Sequence, residues 1–182
     1  MRIYTRKGDD GTTGLLFGGR VRKDAAAPSA YGDVDEAQAV LGVARAESAP
    51  ESELNDLLVR LERDLWVVMG ELATAPGNRH KLVPGTSLVS AEMVAALEPI
   101  IDDLTARFEQ PREFVLPGQN RTAALLDLAR AVVRRAERGA VGVAGEGSHA
   151  VAYLNRLSDL LWTMARWQEE RFLPARAPSE GA

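Results

Sequence analysis

The chain has 182 residues, enough for one domain with a substantial core, and its 46% hydrophobic and 26% charged residues are ordinary for a globular protein. A formal net charge of −4 argues against general binding to nucleic acid or to an anionic membrane. The absence of cysteine excludes a disulfide scaffold, a thiolate metal site and a thiol nucleophile, and fits a reducing compartment. The N-terminus lacks the apolar h-region of a secretory signal, and no apolar run reaches bilayer-spanning length, so a soluble, cytoplasmic protein is expected.

The chain opens on a glycine-punctuated segment, Gly8-Asp9-Asp10-Gly11-Thr12-Thr13-Gly14, then Gly18-Gly19 and the basic residues Arg20, Arg22 and Lys23. Its G-x-x-G-x-x-G spacing matches neither the Walker loop nor the dinucleotide fingerprint. Two readings stand side by side: a flexible turn, or backbone and threonine donors that approach a phosphate closely. A first helix is expected from a cap at Ser29 or Asp33 to about Ser48. Its inner face is Val34, Ala37, Val40, Leu41 and Ala44, with Asp35 and Glu36 near the positive end of its dipole. Pro50-Glu51 opens a second helix with the stripe Leu54, Leu57, Leu58, Leu61, Leu65, Val68, Met69 and Leu72. Residues 75–89 read as a long loop, and Ser90 starts a third helix to about Phe108 that Pro99 bends or splits.

Phe114-Val115-Leu116-Pro117-Gly118 is short, extended and apolar, the one strand-like run in the chain. Asn120 reads as the cap of the central helix, and Gly139 as its C′ stop. Leu125, Leu126, Ala129, Val132, Val133 and Ala136 form the buried stripe of this helix. Asp127, Arg130, Arg134, Glu137 and Arg138 form a charged face. Arginines at i,i+4 repel by about 0.2–0.5 kcal/mol, so this face is either a solvated surface or a site for a polyanion. After a glycine-rich connection, a last helix runs from about His149 to Phe172 with Asn155, Asp159, Trp162 and Arg166 along one edge, a helix seam or a ligand wall. Glu146-x-x-His149 occurs once, beside glycines, which rejects a di-metal bundle site. The expected architecture is an all-α bundle of about five helices in one domain, residues 1–173, with an N-terminal segment 1–26 and a disordered tail 174–182.

Six blocks together resemble the PduO-type ATP:corrinoid adenosyltransferases. They are Tyr4-Thr5-Arg6-x-Gly8-Asp9-x-Gly11-Thr12-Thr13, Lys23-Asp24, Tyr31-Gly32-x-Val34-Asp35-Glu36, Phe114-x-Leu116-Pro117-Gly118, Ala129-Arg130 with Arg134-Arg135-Ala136-Glu137-Arg138, and Leu154-Asn155-Arg156-Leu157-Ser158-Asp159. The resemblance implies a ferritin-like five-helix bundle with an extended N-terminal ATP loop, assembled as a homotrimer with active sites between subunits. It implies transfer of the 5′-deoxyadenosyl group of ATP, with Mg²⁺, to the cobalt of cob(I)alamin, and release of triphosphate. Cobalt(I) is itself a strong nucleophile, which agrees with the lack of a side-chain nucleophile in the sequence.

By the same resemblance, Thr5, Arg6, Lys7, Gly8, Thr13, Gly14 and Lys23 wrap the ATP. Arg134, Arg135, Ala136, Glu137, Arg138 and Asn155 meet its triphosphate, ribose and adenosine, with Glu137 near Mg²⁺. Arg130 pairs with Asp35 of an adjoining subunit, and Phe114 packs under the corrin and excludes its lower axial base, so that cob(II)alamin becomes easier to reduce. A reductase and an adenosylcobalamin-dependent mutase are the implied partners. The chain departs from the family pattern at Lys7 and Asp10, at Gln119-Asn120, at Asp127 (commonly His) and at Val133 (frequently Cys). An enzyme and a carrier that hands adenosylcobalamin to a mutase share these residues. A silent assembly bundle would not need Lys23, Arg134, Glu137 and Asn155.

Overall fold

The structure, a computed structural model, describes residues 3–176. Helices α1 (Ala26–Ala46), α2 (Glu53–Leu72), α3 (Ala91–Ala95), α4 (Glu98–Thr105), α5 (Arg121–Val141) and α6 (Ala150–Trp167) follow a short hairpin of β1 (Thr12–Gly14) and β2 (Arg20–Arg22). The hairpin is antiparallel, with Thr13 opposite Val21. Three-residue strands are too short to show alternation, so the sequence showed only glycines here. α3 and α4 are one element broken before Pro99, which makes the bundle five-membered as expected.

α5 is the central helix. It packs along α1 on one side and α6 on the other, while α2 covers α1 and α4 lies on α6. The stripe Leu126, Ala129, Val132, Val133 and Ala136 is buried against α1 and α6, and Leu125 lies at the edge of the core. Each fully buried leucine along α2, such as Leu58, Leu61 and Leu65, contributes about 1.5–3 kcal/mol of transfer free energy.

The helix limits correct the sequence reading at several points. α1 begins at Ala26 and has no side-chain cap; Ser29 lies inside it and donates its hydroxyl back to the Ala25 carbonyl at 3.3 Å. Pro28 falls in the first turn, where a missing N–H costs no helical bond. Asp35 and Glu36 therefore stand well inside the helix, away from its N-terminal dipole. α2 is capped by Ser52, which accepts from the Asn55 N–H at 3.2 Å, two residues later than Pro50 suggests. α5 runs through Gly139 to Val141, because Gly139 faces Ala30 across the α1–α5 seam and the helix continues to bury Ala140. α4 ends at Thr105 and α6 at Trp167, both short of Phe108 and Phe172.

The caps at Ser90 and Asn120 agree with the sequence: the Asn120 side chain accepts from the Ala123 N–H at 2.8 Å. The chain after α6 returns along Phe114–Leu116. The Leu116 N–H donates to the Leu173 carbonyl at 2.8 Å, and the Ala175 N–H to the Phe114 carbonyl at 2.7 Å. Residues 177–182 of the expected tail lie outside the described residues.

Candidate functional site

The N-terminal segment is a tied loop. Gly18 and Gly19 turn the hairpin with φ of 100° and 95°, a region that only glycine enters freely. Asp10 accepts from the Thr12 N–H at 2.9 Å and from the Thr12 hydroxyl at 2.7 Å. These two donors, the hydroxyl first, hold its carboxyl below the usual range. Arg20 donates to Thr12 at 3.0 Å and to the Lys7 carbonyl. The family departure at Asp10 is thus a brace within the loop. Gly8 packs so closely on Lys23 that a Cβ there would lie 3.2 Å from the Lys23 ammonium nitrogen and 3.1 Å from the Thr12 carbonyl. Glycine at position 8 is what lets the loop fold down onto that cation. Thr5, Arg6 and Lys7 are exposed beside it, and Thr13 and Gly14 lie in β1. The hairpin is pinned to the bundle by the Leu16 N–H, which donates to the Ala73 carbonyl at 2.9 Å.

A second cluster lies on α5 and α6. The Asn155 side-chain amide donates to Glu137 at 3.0 Å, which brings two expected contacts together from different helices. Arg134 is exposed on the same helix as Glu137, and its guanidinium has no protein partner among the described residues. Arg138 folds back to donate to the Arg134 carbonyl at 2.9 Å. The structure does not bring Arg135 and Ala136 to that surface. Arg135 is spent on α1, donating to Asp33 at 2.9 Å and to Glu36, and Ala136 is wholly buried in the core.

The third cluster surrounds Phe114, a residue that is 91% exposed. Gly118, at φ 113°, turns the chain sharply into α5, and the backbone pairing with residues 173–175 holds the Phe114 segment while its ring points out. Phe114 therefore does not belong to the core, where an isolated phenylalanine of this kind would ordinarily sit. It lines a cavity of about 500 Å³ with Val115, Pro117, Asp127, Arg130 and Trp162.

Asp127 was expected on the charged outer face but is 7% exposed. It accepts from Arg166 at 2.5 Å and from Arg130 at 3.4 Å. Arg166, 1% exposed, also donates to Glu169 at 3.0 Å and lies 5.8 Å from the Trp162 ring centre. Burial pushes the Glu169 carboxyl up, with Arg166 opposing it. The edge Trp162–Arg166 is thus a helix seam at its arginine end. Sequence reasoning missed the pairing, although Asp127 directly follows the buried Leu126 and stands three residues before Arg130.

Asp35 is exposed on α1 and has no ion-pair partner among the described residues. It borders a separate cavity of about 360 Å³ with Leu16, Tyr31, Trp66, Met69 and Ala73. No hydrogen bond or ion pair among the described residues joins it to Arg130 within the chain.

Residues 3–168 match the family model described as cobalamin adenosyltransferase. A corrinoid adenosyltransferase of Mycobacterium tuberculosis is 41% identical over 170 residues, covering 91% of this chain and 87% of that protein. One of Bacillus subtilis is 38% identical over 173 residues, covering 91% and 86%. Among solved structures, a phenylalanine-to-alanine variant of the PduO-type ATP:corrinoid adenosyltransferase from Lactobacillus reuteri, complexed with cobalamin and ATP, superposes with a TM-score of 0.86 at 27% identity. It covers 97% of this chain and 100% of that one. An arginine-to-lysine variant of the same protein, complexed with ATP, gives a TM-score of 0.85 at 26% identity, covering 96% and 100%.

Proposed function

The chain belongs to the cobalamin adenosyltransferase family, and on that premise we propose that it transfers the 5′-deoxyadenosyl group of ATP to the cobalt of cob(I)alamin, forming adenosylcobalamin and releasing triphosphate. The observation that carries this reading to the residues is the outward ring of Phe114 beside Arg130 in one cavity. An apolar ring displayed on an open cavity suits a flat macrocycle, and does little for a core.

The reaction needs no protein nucleophile. The cobalt(I) electron pair forms the Co–C5′ bond, the C5′–O bond breaks, and triphosphate leaves with that bond's electrons. The protein's work is to position two large substrates and to meet negative charge on the leaving group. We assign Thr5, Arg6, Lys7, Gly8, Thr13, Gly14 and Lys23 to the nucleotide's phosphates, the loop closing over Lys23. Arg134 receives the triphosphate, and Glu137 with Asn155 orients the ribose and adenosine end. Arg138 adds charge nearby. Phe114 takes the place of the lower axial base, so that cob(II)alamin is held four-coordinate and is reducible by an external reductase.

Among the described residues no group of three or more His, Cys, Asp or Glu side chains could hold a metal. One carboxylate at Glu137 fits Mg²⁺ that arrives on the nucleotide, since this ion keeps water and phosphate oxygens and takes few protein ligands. When bound, Mg²⁺ would offset charge on the triphosphate. The assembly we propose is a homotrimer in the cytoplasm, with Arg130 of one subunit facing Asp35 of the next and an adenosylcobalamin-dependent mutase as recipient.

The test is to follow cob(I)alamin and ATP spectrally with and without the protein. The reading requires protein-dependent appearance of adenosylcobalamin with one triphosphate released per turnover. Release of diphosphate or phosphate, or no cobalt–carbon bond, overturns it.

A further inference from the structure

Four charged side chains are joined contact to contact at the Phe114 cavity, three of them lining it, and the reaction above uses only Arg130. Glu169 Oε2 lies 2.7 Å from Arg166 Nε. Arg166 Nη2 donates to Asp127 Oδ2 at 2.5 Å, and Arg130 Nε donates to Asp127 Oδ1 at 3.4 Å. Glu169, Arg166 and Asp127 are all buried, whereas Arg130 is part-exposed. Two acids and two bases cancel in charge, so the cluster is electrically tolerable. A fold needing only to fill this space could do so with apolar side chains at equal or lower free energy. The cluster borders a cavity, which gives it a use.

We propose that Asp127 is the positioning residue for Arg130, and that Arg166 holds Asp127 in place. The inference rests on the adenosyl transfer proposed above. An arginine carries five N–H donors in a rigid fork. The Nε bond to Asp127, long at 3.4 Å, orients one edge of the guanidinium, and the two Nη groups remain for a carboxylate or ligand at the cavity. They have no protein partner among the described residues.

Arg166 governs how strongly Asp127 claims Arg130. If Asp127 had no second partner, its whole charge would draw Arg130 inward, away from the cavity. With Oδ2 taken by Arg166 at 2.5 Å, the bond to Arg130 is the long one, at 3.4 Å. Arg166 is itself held by Glu169, at 2.7 Å, and by the Trp162 ring 5.8 Å away, which lines the same cavity.

The experiment uses Asp127→Asn, which keeps the shape but leaves one acceptor oxygen for two arginines. With cob(II)alamin, a mild reductant and ATP, the variant should lose about tenfold in kcat while its KM for ATP stays within about twofold, as expected when a group is misplaced and nucleotide binding is not. Its four-coordinate cob(II)alamin signal should weaken. Added to Arg130→Lys, it should cause no further loss, because it acts through Arg130. A brace with no role at the cavity would lower the melting temperature only, with kcat and spectrum of the folded protein unchanged, and that result overturns the inference. Losses that multiply with those of Arg130→Lys also overturn it. Should Asp127→Asn not fold, Arg166→Lys carries the same cycle, since an ammonium cannot span both carboxylates. A parent protein that forms no adenosylcobalamin removes the reading beneath. An active parent matched by its variant removes only the positioning role.

Discussion

Arg135 donates to Asp33 at 2.9 Å and to Glu36, whereas Arg134 beside it is exposed and has no protein partner among the described residues. The two arginines should therefore respond differently to truncation. Arg134→Ala should weaken ATP binding by roughly ten- to a hundredfold or more, as charge-assisted bonds contribute about 1.5–3 kcal/mol each, and should shift stability by no more than about 0.5 kcal/mol. Calorimetric titration with ATP and a thermal melt measure both, and an unchanged affinity would remove this face from the nucleotide site. Arg135→Ala should show the reverse pattern, a lower melt with ATP affinity nearly retained. Phe114 divides the alternatives in another way. A core phenylalanine cut to alanine loses about 3–5 kcal/mol, but a residue that is 91% exposed has little packing to lose. Phe114→Ala should melt like the parent. It should fail with cob(II)alamin and a mild reductant, and should keep more activity when cob(I)alamin is made beforehand, since that cobalt has already shed its lower ligand. Equal losses in both assays would detach Phe114 from the reduction step.

Between elements, one bond from α6 to α2 depends on pH: the Tyr153 hydroxyl donates to Asp64 at 2.9 Å. Burial first, then the Asp64 charge, pushes the Tyr153 hydroxyl well above its ordinary value of 10.0. The folded chain holds this proton where the unfolded chain releases it, so the contribution is complete below pH of about 10 and is lost as pH rises beyond. Urea midpoints should fall on the alkaline side, and Tyr153→Phe should flatten that arm while lowering the neutral plateau by about 1–3 kcal/mol, as Asp64 loses a donor. An alkaline arm of equal slope in Tyr153→Phe would assign the effect elsewhere. The elements themselves were unevenly legible in the sequence. The leucine stripe of α2 and the caps Ser90 and Asn120 are local signals, and they reappear in the fold. The start of α1 is hidden because Pro28 resembles a break and Ala25 offers no cap side chain. Gly139 resembles a stop, yet its bare backbone faces Ala30 within the α1–α5 contact. Asp127 reads as a surface charge because its partner, Arg166, stands 39 positions away on α6, and periodicity along one helix cannot report a pairing between two. The outward Phe114 and the placing of Glu137 and Asn155 on one surface agree with the resemblance, whose motifs span several elements at once.

At the scale of the whole molecule, one chain offers the site in separate parts. No hydrogen bond or ion pair among the described residues joins Thr5–Gly14 or Lys23 to Arg134, Glu137 or Asn155, and none joins Asp35 to Arg130. Asp35 stands instead beside an exposed apolar patch that includes Leu16 and the 69% exposed Trp66, the kind of surface that a neighbouring subunit covers. In the homotrimer we propose, this patch brings Asp35 against Arg130 of the next chain, whose Nη groups have no protein partner among the described residues. Asp35→Asn and Arg130→Ala should then each reduce activity, and together should cost little more than either alone, since both remove one contact. In the assembly Arg130→Ala leaves Asp35 without a partner, at about 3–5 kcal/mol, whereas Asp35→Asn leaves Arg130 its Asp127 bond and costs less. That cost falls on association as well as on catalysis, so each variant should sediment as a smaller species at concentrations where the parent stays assembled. Multiplicative losses of activity with an unchanged sedimentation coefficient would separate Asp35 from Arg130, and would leave that arginine with Asp127 as its carboxylate among the described residues.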